Sequence, residues 1–141
     1  MFSYVCLGTD RPQQSVPFFD AVMAALGHGR CDTSSEADWG GWCGWGTYTE
    51  EGAREIALWL CPPFNGQPAN AGNGNMVAFQ ASRWRQVDAF HAAALRHGGT
   101  SEGPPGLRLQ YNPDFYATYV RSPEGHKLAV VCRGFTAPQP D

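Results

Sequence analysis

The segment Tyr4–Asp10 (YVCLGTD) recurs 72 residues later as Met76–Ser82 (MVAFQAS), and each copy precedes an apolar helical segment. A second strand-like segment, Glu55–Cys61 (EIALWLC), recurs at the same distance as Lys127–Arg133 (KLAVVCR). The helical segments match at a distance of 71 residues. One apolar match means little, but three in the same order at nearly one spacing indicate an internal duplication.

Each copy is predicted to have a helix after its first strand. In the second copy, apolar residues recur at helical spacing over Ser82–His97, with the first residue as N-cap and Gly98 as the stop. In the first copy the helix is expected over about Ser15–Leu26. Asp10 followed by Pro12 offers a competing start, because proline suits the first turn of a helix and breaks its interior.

Each copy leaves room for two more strands between its helix and its closing strand. Turns are indicated by the glycine-rich stretch that precedes Gly46 and by the run Gly103–Gly106 (GPPG). The additional strands are expected near residues 29–35, 43–49, 107–111 and 115–121. The repeated unit is therefore a βαβββ module.

These patterns predict a single α+β domain over residues 1–141. Module 1 is expected over about residues 2–62 and module 2 over about residues 75–133. The stretch between them, about residues 63–74, is rich in Pro, Gly and Asn and is interpreted as the linker. Residues 134–141 are expected to form a short tail.

Composition and charge argue against several classes of partner. The 141 residues have a net charge of −3 and no run of Lys or Arg, so the electrostatic footprint of a nucleic-acid or anionic-membrane binder is missing. No apolar stretch reaches about 18 residues and no signal-like segment precedes the first strand, which predicts a cytoplasmic protein. Five cysteines without a CxxC pair favour reduced thiols over disulfides or a CxxC-type zinc site.

Strand alternation divides the predicted sheets into two faces. One face is uniformly bulky and apolar, so it is expected to form the core under the helices: Val5, Leu7, Ile56, Leu58, Leu60, Val77, Phe79, Leu128 and Val130. The opposite face, called here the cavity face, mixes small and large residues: Tyr4, Cys6, Ala57, Trp59, Met76, Ala78, Gln80, Ala129 and Val131. Such a mixture suits the wall of a ligand cavity. It also suits close packing against the other module or a second subunit.

The ordered set of motifs resembles the glyoxalase/bleomycin resistance/dioxygenase superfamily, also called the vicinal oxygen chelate superfamily. The resemblance covers about residues 2–133 and rests on YVCLGTD with the PFFDAVMAALG helix, GNGNMVAF, VDAFHAAALRHGG and YATYVRSPEGHKLAVVCR. It implies two tandem βαβββ modules that form a curved, mainly antiparallel eight-stranded sheet around a central cavity. It also implies a homodimer, and the many aromatic residues favour one.

Metal-dependent members of that superfamily place four ligands, usually His or Glu, on the cavity face. The resemblance carries these ligand positions onto Tyr4, Ala57, Met76 and Ala129. Two methyl groups, one thioether and one phenol do not supply the carboxylate or imidazole donors that a divalent ion needs. The sequence therefore predicts a protein with no metal and no cofactor.

The leading hypothesis is a metal-free binding protein for a small, partly aromatic or apolar molecule held between the modules. Besides the four positions above, the expected ligand-binding residues are Trp45, Trp59, Arg108 and Tyr116. Two alternatives stay open: a lyase- or dioxygenase-like enzyme with displaced metal ligands, and a structural or regulatory dimer with a closed cavity. The histidines are expected to be solvated, including His126 in a turn.

Overall fold

The computed structural model describes residues 1–31, 41–49 and 52–133. These residues form two helices and seven strands, which is an α+β arrangement. In chain order the elements are β1 (Tyr4–Gly8), α1 (Pro12–Ala25), β2 (Cys43–Thr49), β3 (Arg54–Cys61), β4 (Val77–Gln80), α2 (Trp84–Arg96), β5 (Thr100–Leu107), β6 (Tyr116–Arg121) and β7 (Lys127–Cys132). The tail expected at residues 134–141 lies outside the described residues.

The strands form two mixed sheets, one in each half of the chain. The first has the order β1-β3-β2 and the second β4-β7-β6-β5. In each sheet the strand before the helix pairs in parallel with the closing strand, and the other pairs are antiparallel. A single eight-stranded sheet is not confirmed, since the described residues form separate sheets of three and four strands. The strand expected near residues 29–35 is represented by one bridge between Arg30 and Trp45, and residues 32–40 lie outside the description.

Neither helix begins at the residue that was mainly predicted for it. α1 begins at Pro12, so the competing start is correct, and Pro17 lies inside the helix. α2 begins two residues after Ser82, which does not cap it. Instead the Gln86 side chain accepts hydrogen bonds from the backbone amides of Ser82 and Arg83, at 2.9 and 3.1 Å. A side chain of the first turn thus satisfies the amides ahead of the helix.

The strand expected near residues 107–111 is wrong. β5 covers Thr100–Leu107 and includes the Gly103–Gly106 run that was interpreted as a turn. It is one of the two outer strands of its sheet, and its register against β6 shifts twice between Ser101 and Gly106. Proline lacks the amide that an inner strand needs, but an edge strand with irregular pairing accommodates two prolines.

The predicted core face does lie under the helices. Its buried members, which pack with side chains from both helices, are Leu58, Leu60, Leu128 and Val130. Partly buried members that pack against the same cluster are Val5, Leu7, Val77 and Phe79. Ile56 is the exception at 74% exposed, and it lies among the first residues of β3, which are less buried than the rest of the strand. Among the described residues, neither helix is long and apolar enough to cross a membrane.

The turn before β7 contacts the start of α1 in the other half of the chain. The Glu124 carboxylate accepts hydrogen bonds from the hydroxyls of Thr9 and Ser15 and from the Asp10 amide, the last at 2.8 Å. Burial raises the pKa of Glu124, but the hydrogen bonds from Ser15, Thr9 and the backbone amides outweigh it and hold that pKa below its ordinary value. Glu124 is thus ionised at neutral pH and stabilises the positive end of α1.

His126 in the same turn is buried, so the expectation of a solvated side chain is wrong. The side chain is 5% exposed, and its Nε2 lies 2.7 Å from the Gly8 carbonyl oxygen at the end of β1. Because a carbonyl only accepts, Nε2 carries the proton in this contact. The turn is covered by the other half of the chain, which its sequence alone does not reveal.

Candidate functional site

A groove of about 470 Å³ lies between the first residues of β1 and the start of β4. Its wall also includes the end of α1 and parts of β2 and β3. The lining residues are mostly apolar: Phe2, Ser3, Tyr4, Val5, Met23, His28, Trp45, Gly46, Ile56, Ala57, Leu58, Met76, Val77, Ala78 and Phe79. We call this surface the seam groove. Its volume and its mostly apolar wall are typical of small-molecule sites.

The seam groove brings together four of the predicted ligand-binding residues. Tyr4 and Met76 are about half exposed, and Ala57 pairs directly with Tyr4 on the neighbouring strand. Trp45 reaches the groove from the core, where it is 1% exposed. Residues from both halves of the chain therefore contribute to one wall, as the hypothesis of a site between the modules requires.

Trp45 is held in position by a charged network behind the groove. Its Nε1 donates to Asp20 Oδ1 at 2.9 Å, and the Arg30 guanidinium donates to both oxygens of the same carboxylate at 2.8 and 2.7 Å. The hydrogen bond from Arg30 holds the pKa of Asp20 below its ordinary value, although burial opposes this shift. An ionised acceptor fixes the indole more firmly than a neutral one.

Trp59 does not line the seam groove. It is 2% exposed on the cavity face of the first sheet, and its Nε1 donates to Glu55 Oε1 at 2.7 Å. The rings of Tyr48 and Trp42 lie 5.4 and 6.2 Å from its ring. The facing residue is Gly44, where an added Cβ would lie only 2.4 Å from the Trp59 ring. Aromatic packing over a glycine therefore fills this part of the cavity face.

Tyr116 lies on the helix side of the second sheet, so the prediction that it borders the cavity is wrong. Its hydroxyl donates to Asp88 Oδ1 on α2 at 2.6 Å, and its ring stacks on Trp84 with centroids 4.3 Å apart. Tyr116 pairs with Cys132, and cross-strand partners point to the same face of a sheet. Because side chains alternate along β6, Tyr119, three residues further on, points to the opposite face, which is the cavity face. Burial and the Asp88 carboxylate raise the pKa of Tyr116 to about 12.

Arg108 and Ala129 also lie away from the seam groove. Arg108 donates to the carbonyl oxygens of Gly106 and Pro104 at 2.9 and 2.6 Å, and its guanidinium lies 5.6 Å from the Tyr119 ring. Ala129 is fully buried between its strand partners. Both residues therefore belong to the cavity face of the second sheet rather than to the groove.

Strand register changes the correspondence between the two halves. Ala57 pairs with Tyr4 in the first sheet, whereas Ala129 pairs with Ala78, two residues beyond the counterpart of Tyr4 in the repeat. The closing strand of the second half is therefore displaced by two residues relative to the repeat of 72. If the pairing of β4 with β7 is extended by one residue, Lys127 lies opposite Met76, where the repeat of 72 residues would place Ala129.

The positions that the resemblance assigns to metal ligands remain Tyr4, Ala57, Met76 and Ala129, with Lys127 two residues before the last of them on β7. They offer one phenol, two methyl groups and one thioether, and the protonated ammonium of Lys127 has no lone pair for a metal. These side chains do not fit a divalent ion. Across the ranges that the structure describes, no group of three or more His, Cys, Asp or Glu side chains is arranged to hold one.

Two thiols meet on the cavity face of the first sheet. Cys6 on β1 and Cys61 on β3 are neighbours across the parallel pair, since Cys6 pairs with Trp59 and Gly8 with Cys61. Partial burial, together with the Cys61 thiol, raises the pKa of Cys6 to about 11. Burial raises the pKa of Cys61 as well. Both are thiols at neutral pH and weak nucleophiles, although Cys6 is exposed.

Several groove residues escape sequence reasoning. Phe2, Ser3 and His28 lie in the wall although they precede β1 or follow α1. No periodicity applies to residues outside helices and strands, so no face can be assigned to them. The one available signal is that the end of a helix returns close to the start of the strand before it.

No family model matches the chain, and no curated protein sequence matches it significantly. Among solved structures, a glyoxalase/bleomycin resistance protein from Albidiferax ferrireducens T118 is 35% identical, with a TM-score of 0.76. The match covers 95% of this chain and 99% of that one. The chain therefore belongs to the glyoxalase/bleomycin resistance family.

More distant structures share the fold. A glyoxalase/bleomycin resistance protein/dioxygenase family enzyme from Burkholderia phytofirmans PsJN is 15% identical with a TM-score of 0.66, over 92% of this chain and 96% of that one. A fosfomycin resistance protein from Listeria monocytogenes is 12% identical with a TM-score of 0.64, over 95% and 92%. At these identities the likeness concerns the fold alone.

Proposed function

We propose that this protein binds a small, partly aromatic or apolar molecule in the seam groove and does so without a metal. The observation that supports this most directly is the groove itself, with its volume of about 470 Å³ and its mainly apolar wall. The groove is bordered by both halves of the chain. Tyr4, Trp45, Ala57 and Met76, which cavity-wall reasoning selects from sequence, meet in it.

The chemistry of the wall favours a neutral, planar ligand body. The side chains able to hydrogen-bond are few, chiefly those of Ser3, Tyr4, His28 and Trp45, and the Trp45 indole nitrogen is already bonded to Asp20. Burial of apolar ligand surface contributes roughly 25 cal/mol per Å². A ligand ring that packs against Tyr4 or Phe79 would gain the additional stabilisation of an offset-stacked or edge-to-face ring pair. Binding would therefore depend on shape and apolar area.

Shortening Met76 to alanine is expected to weaken binding of a neutral aromatic such as indole or 2-naphthol about fivefold. Met76 is 48% exposed, so its removal deletes groove wall at little cost to the core. Losing one to two methylene contacts corresponds to about 1 kcal/mol. Isothermal titration of the full chain with each compound measures the change. Leu95→Ala on α2 is the matched control, since Leu95 is 46% exposed and does not line the groove.

Ala78→Phe provides a second test at the same wall. Ala78 is exposed and lines the groove, so a phenyl ring there fills ligand space while the core stays intact. Binding should fall at least tenfold, or about 1.4 kcal/mol or more. If Ala78→Phe and Met76→Ala both bind these aromatics as tightly as the Leu95→Ala control, the seam groove is not the site.

Protein prepared without chelator is expected to contain far less than one equivalent of any divalent transition metal. The positions that would converge on an ion offer too few lone pairs, as described above. The Listeria fosfomycin resistance protein was crystallised with Mn(II), so the fold by itself does not exclude a metal. Elemental analysis decides the point. About one Mn, Fe, Ni or Zn per chain would contradict the proposal and favour the enzyme hypothesis.

A further inference from the structure

We propose that the cavity face of the second sheet carries a subsite for an aromatic carboxylate, continuous with the seam groove at Met76. The inference rests on the proposed function, because the seam groove would take the rest of the ligand. A basin of about 580 Å³ lies there, lined by Met76, Glu102, Tyr111, Asn112, Phe115, Tyr119, Lys127 and Arg133. Met76 is the residue that lines both surfaces. We call this second surface the basin.

Charged side chains line the basin, namely the ammonium of Lys127, the guanidinium of Arg133 and the carboxylate of Glu102. That carboxylate already accepts a hydrogen bond from Arg121 Nε at 2.8 Å, while Lys127 Nζ is farther away at 3.5 Å. The hydrogen bond from Arg121 holds the pKa of Glu102 below its ordinary value. Glu102 is thus shared, and Lys127 keeps donor capacity for an anion.

Aromatic rings stand beside each of these cations. Lys127 Nζ lies 6.0 Å from the centre of the Tyr119 ring, and the Arg133 guanidinium lies 5.5 Å from the Phe115 ring. The Tyr111 ring is 5.2 Å from Phe115 and 64% exposed. A ligand ring packed on these faces would hold a carboxylate within reach of the neighbouring ammonium or guanidinium. A small molecule that carries both an aromatic ring and a carboxylate would match this arrangement of neighbouring rings and cations.

A third cation strengthens the field of the basin. The Arg108 guanidinium lies 5.6 Å from the Tyr119 ring and is fixed by the Gly106 and Pro104 carbonyl oxygens. Carbonyl acceptors orient a guanidinium without neutralising its charge. An added Cβ at Gly103 would lie 3.1 Å from this guanidinium and 3.0 Å from the Tyr119 ring, so the glycine leaves room for both. Arg108, which the sequence analysis expects to bind the ligand, thus lies beside Tyr119 of the basin and not at the seam groove.

The test compares benzoate with its neutral analogue benzamide by isothermal titration of the full chain. Benzoate is expected to bind about tenfold more tightly, because only the anion makes charge-assisted hydrogen bonds. Lys127→Met keeps the apolar stem and removes the charge, so it should abolish the preference, whereas Lys127→Arg should retain it. Arg96→Met on the exposed surface of α2 is the matched control for charge loss and should leave the preference unchanged. Raising the salt concentration from about 0.02 M to about 0.5 M should reduce the preference.

Each contrary outcome has a distinct meaning. Equal affinity for benzoate and benzamide in the unmodified protein would overturn the carboxylate subsite while leaving a neutral ligand in the seam groove possible. Acetate binding as tightly as benzoate would also overturn it, since the rings would then contribute nothing. A preference that survives Lys127→Met would refute the assignment to the basin. The proposed function would fail separately if Ala78→Phe left the affinity for neutral aromatics unchanged.

Discussion

Replacing Trp45 by alanine is expected to lower the free energy of unfolding by about 3–5 kcal/mol. Trp45 is 1% exposed and its ring lies 5.4 Å from Phe19 of α1, so truncation leaves a large void between β2 and the helix. The change also leaves Asp20 without one hydrogen-bond donor. Urea unfolding followed by circular dichroism measures the loss as a lower midpoint at unchanged slope.

Two matched variants separate the sources of this effect. Trp45→Phe keeps a ring in the core but removes the hydrogen bond to Asp20 and part of the buried indole volume, so it should cost about 2 kcal/mol. Trp84→Ala removes a tryptophan that stacks on Tyr116 at the partly exposed first turn of α2, and it should cost about 1–2 kcal/mol. If Trp45→Ala proves no more destabilising than Trp84→Ala, Trp45 is not the packing centre of the first half.

Glu124→Gln is expected to destabilise the protein by about 2–3 kcal/mol at pH 7 and by much less below about pH 4. The carboxylate accepts from Thr9, Ser15 and the Asp10 amide and lies at the positive end of α1. Its pKa is lowered in the folded state. The stability that it contributes is therefore fully present above the unfolded pKa of about 4.3, and it is lost as the pH falls through the folded pKa.

The pH dependence distinguishes this contact from simple loss of packing. Unfolding of the wild type and of Glu124→Gln is compared between about pH 3 and pH 7, where the two curves should converge at the acidic end. Glu102→Gln is the control, because its carboxylate makes solvent-exposed ion pairs, which contribute little to stability. An equal deficit of Glu124→Gln at every pH would show that the ionised carboxylate is not the stabilising form.

Much of the fold follows from local patterns. The strand repeats predict β1 and β4 before the helices and β3 and β7 as the closing strands, and the bulky alternating residues identify the face under the helices. The exact helix starts do not follow, because Gln86 and Glu124 satisfy amides that the usual capping residues would otherwise serve. The position of β5 does not follow either, since prolines that usually mark a turn are tolerated at an irregular sheet edge.

The candidate site is only half predictable from sequence. Tyr4, Trp45, Ala57 and Met76 meet in the seam groove. Trp59 and Tyr116 were selected by the same reasoning about aromatic residues, yet one packs over Gly44 and the other faces α2. Aromatic character does not tell whether a ring meets a ligand, a glycine or a helix. The homodimer stays a prediction, since exposed side chains such as Phe2 favour an interface without identifying it.

The sequence by itself determined the α+β class and the two faces of the strands. These properties depend on residue identity and on a period of two along the chain, which are local. Tertiary structure alone decided that β1 and β4 border an apolar groove, that Ala129 pairs with Ala78, and that Glu124 contacts residues 109 and 115 positions away. Such contacts depend on how the two halves are oriented, and no local pattern encodes that orientation.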